Sequence, residues 1–294
     1  MAYADNPIDI NRGTTGLVLT PEQSGEIIAK AVEQSAIMQI AERVSLPGRG
    51  VSIPVITGEP TADFVAETAE KPVGEHTFET KTMTPYKIAV IELFSNEFRR
   101  DWRALYDELE RRLSYSLARK FDDTIFHGTA PGTGFDVLSG ATAVDIQTDA
   151  YAGVVEAYGE IATAGYRPNG FVLAPAGEVI LFSATDDTKR PLFLPTVADG
   201  SVGSVLGAAV VKNGNVYKAG NPATVGFVGD WSQFKWGMVN DISLAISEQA
   251  TINTGTEQVN LWQRNMFALR CEFEVGAVCA DDAAFVKLTG ATGA

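Results

Sequence analysis

Apolar positions along the chain change their spacing several times, and each change predicts an element. Thr20-Pro21-Glu22-Gln23 is a helix start: Thr20 caps, Pro21 fits the first helical position and Gln23 completes a capping box. Ile27, Ile28, Ala31, Ser35 and Met38 then share one helical face, and the pattern fades before Pro47-Gly48. Val51–Ile56 and Tyr86–Phe94 read as strands. Between them, FVAETAEKPVGEHTFETKTMT (64–84) carries Phe64, Val65, Val73, Phe78 and Met83 without a period that would build a core.

The segment 99–128 is the strongest element. Trp102, Leu105, Leu109, Leu113, Leu117, Phe121 and Ile125 recur at about every fourth position, with Asp107–Arg111 and Glu108–Arg112 as favourable pairs elsewhere on the surface. Gly128 is its stop. Four-residue spacing drifts by roughly 40° per step against a helix of ~3.6 residues per turn, so the apolar stripe winds around the rod. Such a rod touches different layers at its two ends.

Further on, Ala150–Ala164 is amphipathic through Tyr151, Val154, Val155, Tyr158 and Ile161. GFVLA (170–174) is a buried strand, Pro175 opens a short helix to Phe182, and VLGAAVV (205–211) is a further strand. A Pro/Gly-punctuated loop fills 185–204, and Asn213-Gly214 marks a turn. The last third alternates as strands do, at Ile242, Leu244, Ile246 and again at Phe267, Leu269, Cys271, Phe273 and Val275.

Composition narrows the function classes. The 294 residues are 45% hydrophobic and 20% charged, a globular balance, with a formal net charge of −14. That charge argues against a protein that grips nucleic acid through phosphate contacts. The first residues carry no basic start and no apolar run of the secretory type, and nowhere do enough apolar residues follow one another to span a membrane. Two cysteines, Cys271 and Cys279, fit a reducing compartment better than a disulfide scaffold, although a turn near Val275-Gly276 would let them face each other.

Candidate chemistry is sparse. GTAPGTG (128–134) lacks the Lys-Ser/Thr of a phosphate loop and follows a helix, so it reads as a helix stop running into a turn. His76 and His127 have no companion at zinc spacing, and no metal or cofactor is expected. The adjacent pairs Asp122-Asp123, Asp186-Asp187 and Asp281-Asp282 read as solvated surface. Trp231, Phe234 and Trp236 read as core or interface rather than a base-stacking platform.

The order of these segments resembles the major capsid proteins of tailed bacteriophages, which have the Hong Kong 97 fold. The resemblance is carried by the capped helix, the long run between paired strands, the rod ending FDDTIFHG, GYRPNGFVLAP (165–175), GFVGDWSQF (226–234) and the closing NMFALRCEFEVGAVCADDAAFVKL (265–288). It implies an α+β chain with an N-terminal arm and helix (1–49) and an extended β-hairpin loop (50–92). A peripheral domain begins with the spine helix (93–147) and is completed by C-terminal strands (231–294), and 148–230 form an axial domain. The extended loop is then expected to find its burial on a neighbouring copy.

The resemblance further implies a non-enzymatic shell subunit that self-assembles into pentamers and hexamers in an icosahedral lattice around double-stranded DNA. A portal protein and separate scaffolding or decoration proteins are the implied partners, without membrane contact. The shell is expected in the virion, assembled in the bacterial cytoplasm, and its acidic composition suits an inner wall that does not trap DNA. An encapsulin-like compartment is the alternative, and a soluble α/β enzyme a weaker one. The capped helix starts near Met1, so no cleaved scaffolding extension is expected. Some family members join a loop lysine to an asparagine on a neighbour with a glutamate as base. Asn265 and Glu272 match by position, and Lys81 is the nearest loop lysine, one residue out of register. The plainer reading makes Asn265 a polar contact and pairs Glu272 with Arg270 or another cation.

Overall fold

The computed structural model describes residues 35–58, 62–65, 71, 73, 77–96, 102–185, 188–190, 192–193, 203–239, 243–255 and 257–290. The arm, the helix start at Thr20, His76, the pair Asp186-Asp187, Ile242, the side chain of Leu244 and the ion pairs expected at 107–112 lie outside the described residues and side chains.

Four helices are described: α1 (Ala36–Ile40), α2 (Trp102–His127), α3 (Ala150–Thr163) and α4 (Pro175–Ser183). Ser35 caps α1 with its side chain and takes extended backbone angles, so α1 begins at Ala36. The helical pattern expected to continue toward Pro47 stops at Ile40. Strand β1 (Glu42–Ser45) follows it and pairs in parallel with β10 (Phe234–Met238). Sheet pairing wins here because β1 also gains a Glu42–Lys235 contact at 3.3 Å and stacks Arg43 5.5 Å over Trp236.

Helix α2 has 26 residues, about 40 Å at ~1.5 Å per residue. Its C-terminal half buries Leu117, Ala118, Phe121, Ile125 and Phe126, a stripe widened beyond the expected row by one neighbour per turn. Gly128 follows its last residue, and a Cβ there would lie 2.8 Å from the Thr124 carbonyl oxygen, so this close approach calls for glycine.

Two large sheets flank this helix end. The first is organised on β14 (Met266–Cys279), one strand of 14 residues without the turn expected at Val275-Gly276. β4 (Tyr86–Ser95) lies antiparallel along one edge of β14, from Ser95 opposite Met266 to Tyr86 opposite Val275. β11 (Ser243–Ser247) and then β10 take the other edge. Phe267, Leu269, Cys271, Phe273 and Val275 are buried, as their alternation predicts. Cys271 and Cys279 are both buried and free. Eight positions apart on a continuous strand, they stand roughly 27 Å from each other, beyond any disulfide. Burial pushes the Cys271 thiol up to about 12.

The second sheet has the order β5-β15-β9-β6-β8-β7. Its members are β5 (Thr142–Asp145), β6 (Gly170–Leu173), β7 (Ser204–Val205), β8 (Ala208–Lys212), β9 (Ala223–Gly229) and β15 (Phe285–Gly290). The single strand expected at 205–211 is a hairpin. Leu206 and Gly207 both take positive φ, 49° and 82°, the two-residue turn that reverses β7 into β8. Two strands also cross the expected domain limits: β5, from the 93–147 segment, and β15, from the C-terminal segment, both join the sheet of 148–230. Val286 and Leu288 are buried there with Val144, Val154, Ile161 and Phe171, which explains the crossing.

One aromatic cluster lies between these layers. Phe121 meets Phe135, Phe273 and Trp236, and Phe126 meets Phe227 and Trp231. Trp231, Phe234 and Trp236 are all buried, as core and not as a stacking platform.

Candidate functional site: an uncovered hairpin and the joint behind it

The partner of β2 (Val51–Gly58) is β3 (Thr77–Met83), a strand inside the run that shows no apolar period. The two form a sheet of their own, from Val51 opposite Met83 out to Gly58 opposite Thr77. Their paired length is roughly 25 Å at ~3.4 Å per residue. Pro54 donates no backbone hydrogen bond, which an edge strand tolerates. A two-stranded ribbon alone is marginal in water.

Among the described residues, it is the root of this ribbon that its own chain covers. Met83, Leu46 and Val278 are buried together, with Val51, Ile53 and Val239 against them. The Lys81 ammonium donates to the Cys279 carbonyl oxygen at 2.7 Å. The Thr84 amide donates to the Gly134 carbonyl at 2.7 Å, and the Tyr86 hydroxyl to the Thr133 carbonyl at 2.8 Å. Asp136 closes the seat by accepting from the Cys279 amide at 2.9 Å. The glycine-rich segment after α2 is therefore the seat of the hairpin root. Gly134 has φ +77°, and a Cβ on it would lie 2.5 Å from Thr84 Oγ1.

Beyond the root, burial falls away. Phe64 and Val73 are 110% and 90% exposed. Trp262, in the turn before β14, is a further large apolar side chain left in solvent.

The three residues matched to crosslinking chemistry are not brought together within the chain. Lys81 sits at the Cys279 end of β14, Asn265 just before its other end and Glu272 between them. Thirteen strand steps separate the ends of β14, roughly 45 Å. Asn265 has φ +52°, a left-handed turn that asparagine tolerates, and its side-chain oxygen accepts from Asn96 at 3.0 Å. Glu272 pairs with Arg270 at 3.3 Å and with Lys87 at 3.9 Å. The plainer reading of these two residues thus describes their contacts within one chain.

Sequence reasoning missed the polar joint at the C-terminal half of α2. Asp123 is exposed as expected, but Asp122 is fully buried. Its carboxylate accepts from the Ser35 hydroxyl at 2.6 Å, the Ala36 amide at 2.9 Å, the Ile37 amide at 3.4 Å and the Asn215 side-chain amide at 3.0 Å. One turn on, a ring nitrogen of His127 lies 2.9 Å from the Val216 carbonyl oxygen, and Lys218 donates to the His127 carbonyl at 3.1 Å. The available signal was position: Asp122 adjoins Phe121 and stands one turn before Ile125 and Phe126, on the buried stripe. Asp281 likewise is not free surface, since it accepts from the Tyr166 hydroxyl at 2.7 Å.

Among the described residues, no group of His, Cys, Asp and Glu is arranged to hold a metal ion. Nor is any helix among them long and apolar enough to cross a membrane.

Comparison with known proteins agrees with this architecture. The model of the phage capsid family matches residues 15–290. The probable major capsid protein of Mycobacterium phage D29 is 30% identical over 289 residues, covering 92% of this chain and 89% of the relative. The major capsid protein of Staphylococcus phage 80alpha is 25% identical over 285 residues, covering 93% and 85%. Among solved structures, a chain from Gordonia phage Cozz superposes with a TM-score of 0.73 at 24% identity, covering 88% of this chain and 87% of that one. The α+β arrangement of a long helix between two sheets, with a two-stranded ribbon leaving it, is thus the Hong Kong 97 fold. With 276 consecutive positions (15 through 290) matched by the family model, the chain belongs to the phage capsid family.

Proposed function

We infer that the chain is the major capsid protein of a tailed bacteriophage, the subunit that assembles with copies of itself into a closed shell. The observation that carries this reading is the uncovered ribbon. A hairpin with a buried root and apolar side chains exposed beyond it needs a surface from outside its own subunit. Repetition of that head-to-tail contact closes a shell when its rotation closes. Several modest contacts per subunit suffice, because linked contacts act together.

Finer features extend the same reading. Pentamers and hexamers share the lattice, double-stranded DNA fills it without sequence-specific contacts, and a portal protein occupies one vertex. The net charge of −14 supports an inner wall that repels rather than holds the genome. A Lys81–Asn265 isopeptide bond, formed by attack of the neutral amine on the Asn265 side-chain carbonyl with its amide nitrogen leaving as ammonia, belongs to this reading only between copies, since the two residues lie at opposite ends of β14 within one. Its formation would first require Lys81 to release the Cys279 carbonyl.

Negative-stain imaging of the purified protein, with nuclease digestion before nucleic-acid extraction, is the test. Uniform closed particles holding nuclease-protected DNA are expected from phage-infected cells. Particles that never contain DNA would favour the encapsulin-like compartment. A chain that stays monomeric at high concentration would end the shell reading.

A further inference from the structure

We propose that Asp122 is a proton-linked clasp: its buried carboxyl holds the Ser35–Ile37 turn and the Asn213–Val216 turn onto α2, and its charge state sets how often this joint opens. Three segments far apart in sequence meet at one side chain, through the Ser35 hydroxyl, the Ala36 and Ile37 amides and the Asn215 amide group. Each is a hydrogen-bond donor, and no cation pairs with the carboxylate among the described residues. A buried charge satisfied by hydrogen bonds alone keeps part of its desolvation cost.

The charged groups around the joint are otherwise engaged. The α1 side presents Ser35, Ala36, Ile37 and Met38, none of which titrates. From the 213–218 turn comes Lys218, whose ammonium is bonded to the His127 carbonyl. Lys212 on β8 is bound to Glu178. On α2 itself, Asp123 faces solvent. His127 is held below its ordinary value, first by burial and then by Lys218, so its protonation in acid favours opening of the Val216 turn, opposite in sign to Asp122.

The direction of the linkage follows from the competing forces on Asp122. Burial raises its pKa from 3.8 to about 6, against the hydrogen bonds from Ser35, Asn215, Ala36 and Ile37, which favour the charged form. In the protonated state the new O–H donates to the Ser35 hydroxyl oxygen, 2.6 Å away, which turns to accept. When the joint opens, the carboxyl returns to water and to its ordinary value. Between about pH 4 and pH 6 the closed joint therefore holds a proton that the open joint lacks. Raising the pH through that window favours opening, and below or above it the effect is constant. A difference of about two pKa units limits the change to roughly 100-fold in the opening equilibrium. Asp122 therefore tightens the joint in acid, while the charging of His127 works against it. At neutral pH the ionised Asp122 lets the Ser35–Ile37 turn, and the turn between β8 and β9, shift against the long helix.

Hydrogen exchange of the purified full chain between pH 4 and pH 8, corrected for the intrinsic rate, reads this directly. In a His127→Gln chain, which removes the opposing titration, the opening constants at the amides of Ala36, Ile37 and Val216 should rise by up to about 100-fold from pH 4 to pH 7, while amides in the middle of β14 stay level. Asp122→Asn should abolish the rise. Asn215→Ala, a milder change, removes a bond that favours the charged form and should extend the rise to higher pH without moving its acid edge. In the His127→Gln chain, a level profile, opening that increases toward acid, or a rise left unchanged by adding either Asp122→Asn or Asn215→Ala overturns the proposal.

Discussion

β3 and β4 are consecutive strands, joined only by Thr84 and Pro85, yet they live in different worlds. β4 lies along β14 for ten register positions and packs Ile88, Val90 and Phe94 against the aromatic cluster. Among the described residues β3 pairs with β2 alone, in a two-stranded sheet, and apart from Met83 its described side chains are at most half-buried. Both strands satisfy their backbones by pairing, so hydrogen bonding does not separate them. What separates them is cover. The same physics that makes β4 part of a stable body leaves the ribbon waiting for a surface from another molecule.

That contrast can be broken from its covered side first. Phe121→Ala empties the ring site between Phe135, Phe273 and Trp236 and should cost the subunit about 3–5 kcal/mol, read as a loss of unfolding free energy in denaturant. Met83→Ala strikes the border between the two regimes. It removes a fully buried side chain at the ribbon root and should cost about 2–4 kcal/mol, with faster exchange in β2 and β3 and little change in the middle of β14. The uncovered side should answer in the opposite way. A Phe64→Ser, Val73→Ser double variant should leave subunit stability within about 0.5 kcal/mol while abolishing particles in negative stain. Particles formed normally by that variant would show that the ribbon's apolar side chains do not carry assembly.

How much of this was legible in the sequence depended on whether one element's pattern was enough. The body of α2 and its stop at Gly128 were readable because apolar spacing and a terminating glycine agree there. β14 was readable from its alternation, although the invented turn at Val275-Gly276 came from trusting a glycine. Gly276 is in fact needed by close packing, since a Cβ there would lie 2.8 Å from Met83. The resemblance implied a hairpin there, but the position of β3 was not legible in the pattern, because a ribbon open on both sides has no buried face to impose a period. The hairpin at Leu206-Gly207 escaped because leucine rarely adopts positive φ. Sheet membership of β5 and β15 was invisible, since a strand's sequence says that it is buried but not beside which partner. Among the candidate residues, the paired state of Glu272 with Arg270 was foreseeable from their spacing. The burial of Asp122 required knowing that the chain before α1 and the turn at Asn215 converge upon it.

The seat of Thr133, Gly134 and Asp136 makes the ribbon a lever with a short fulcrum. A rotation of roughly 10° at that fulcrum carries the far end of a 25 Å arm sideways by about 4 Å. An identical polypeptide can thus meet neighbours set at slightly unequal distances by pivoting at one spot, with its two sheets left undisturbed.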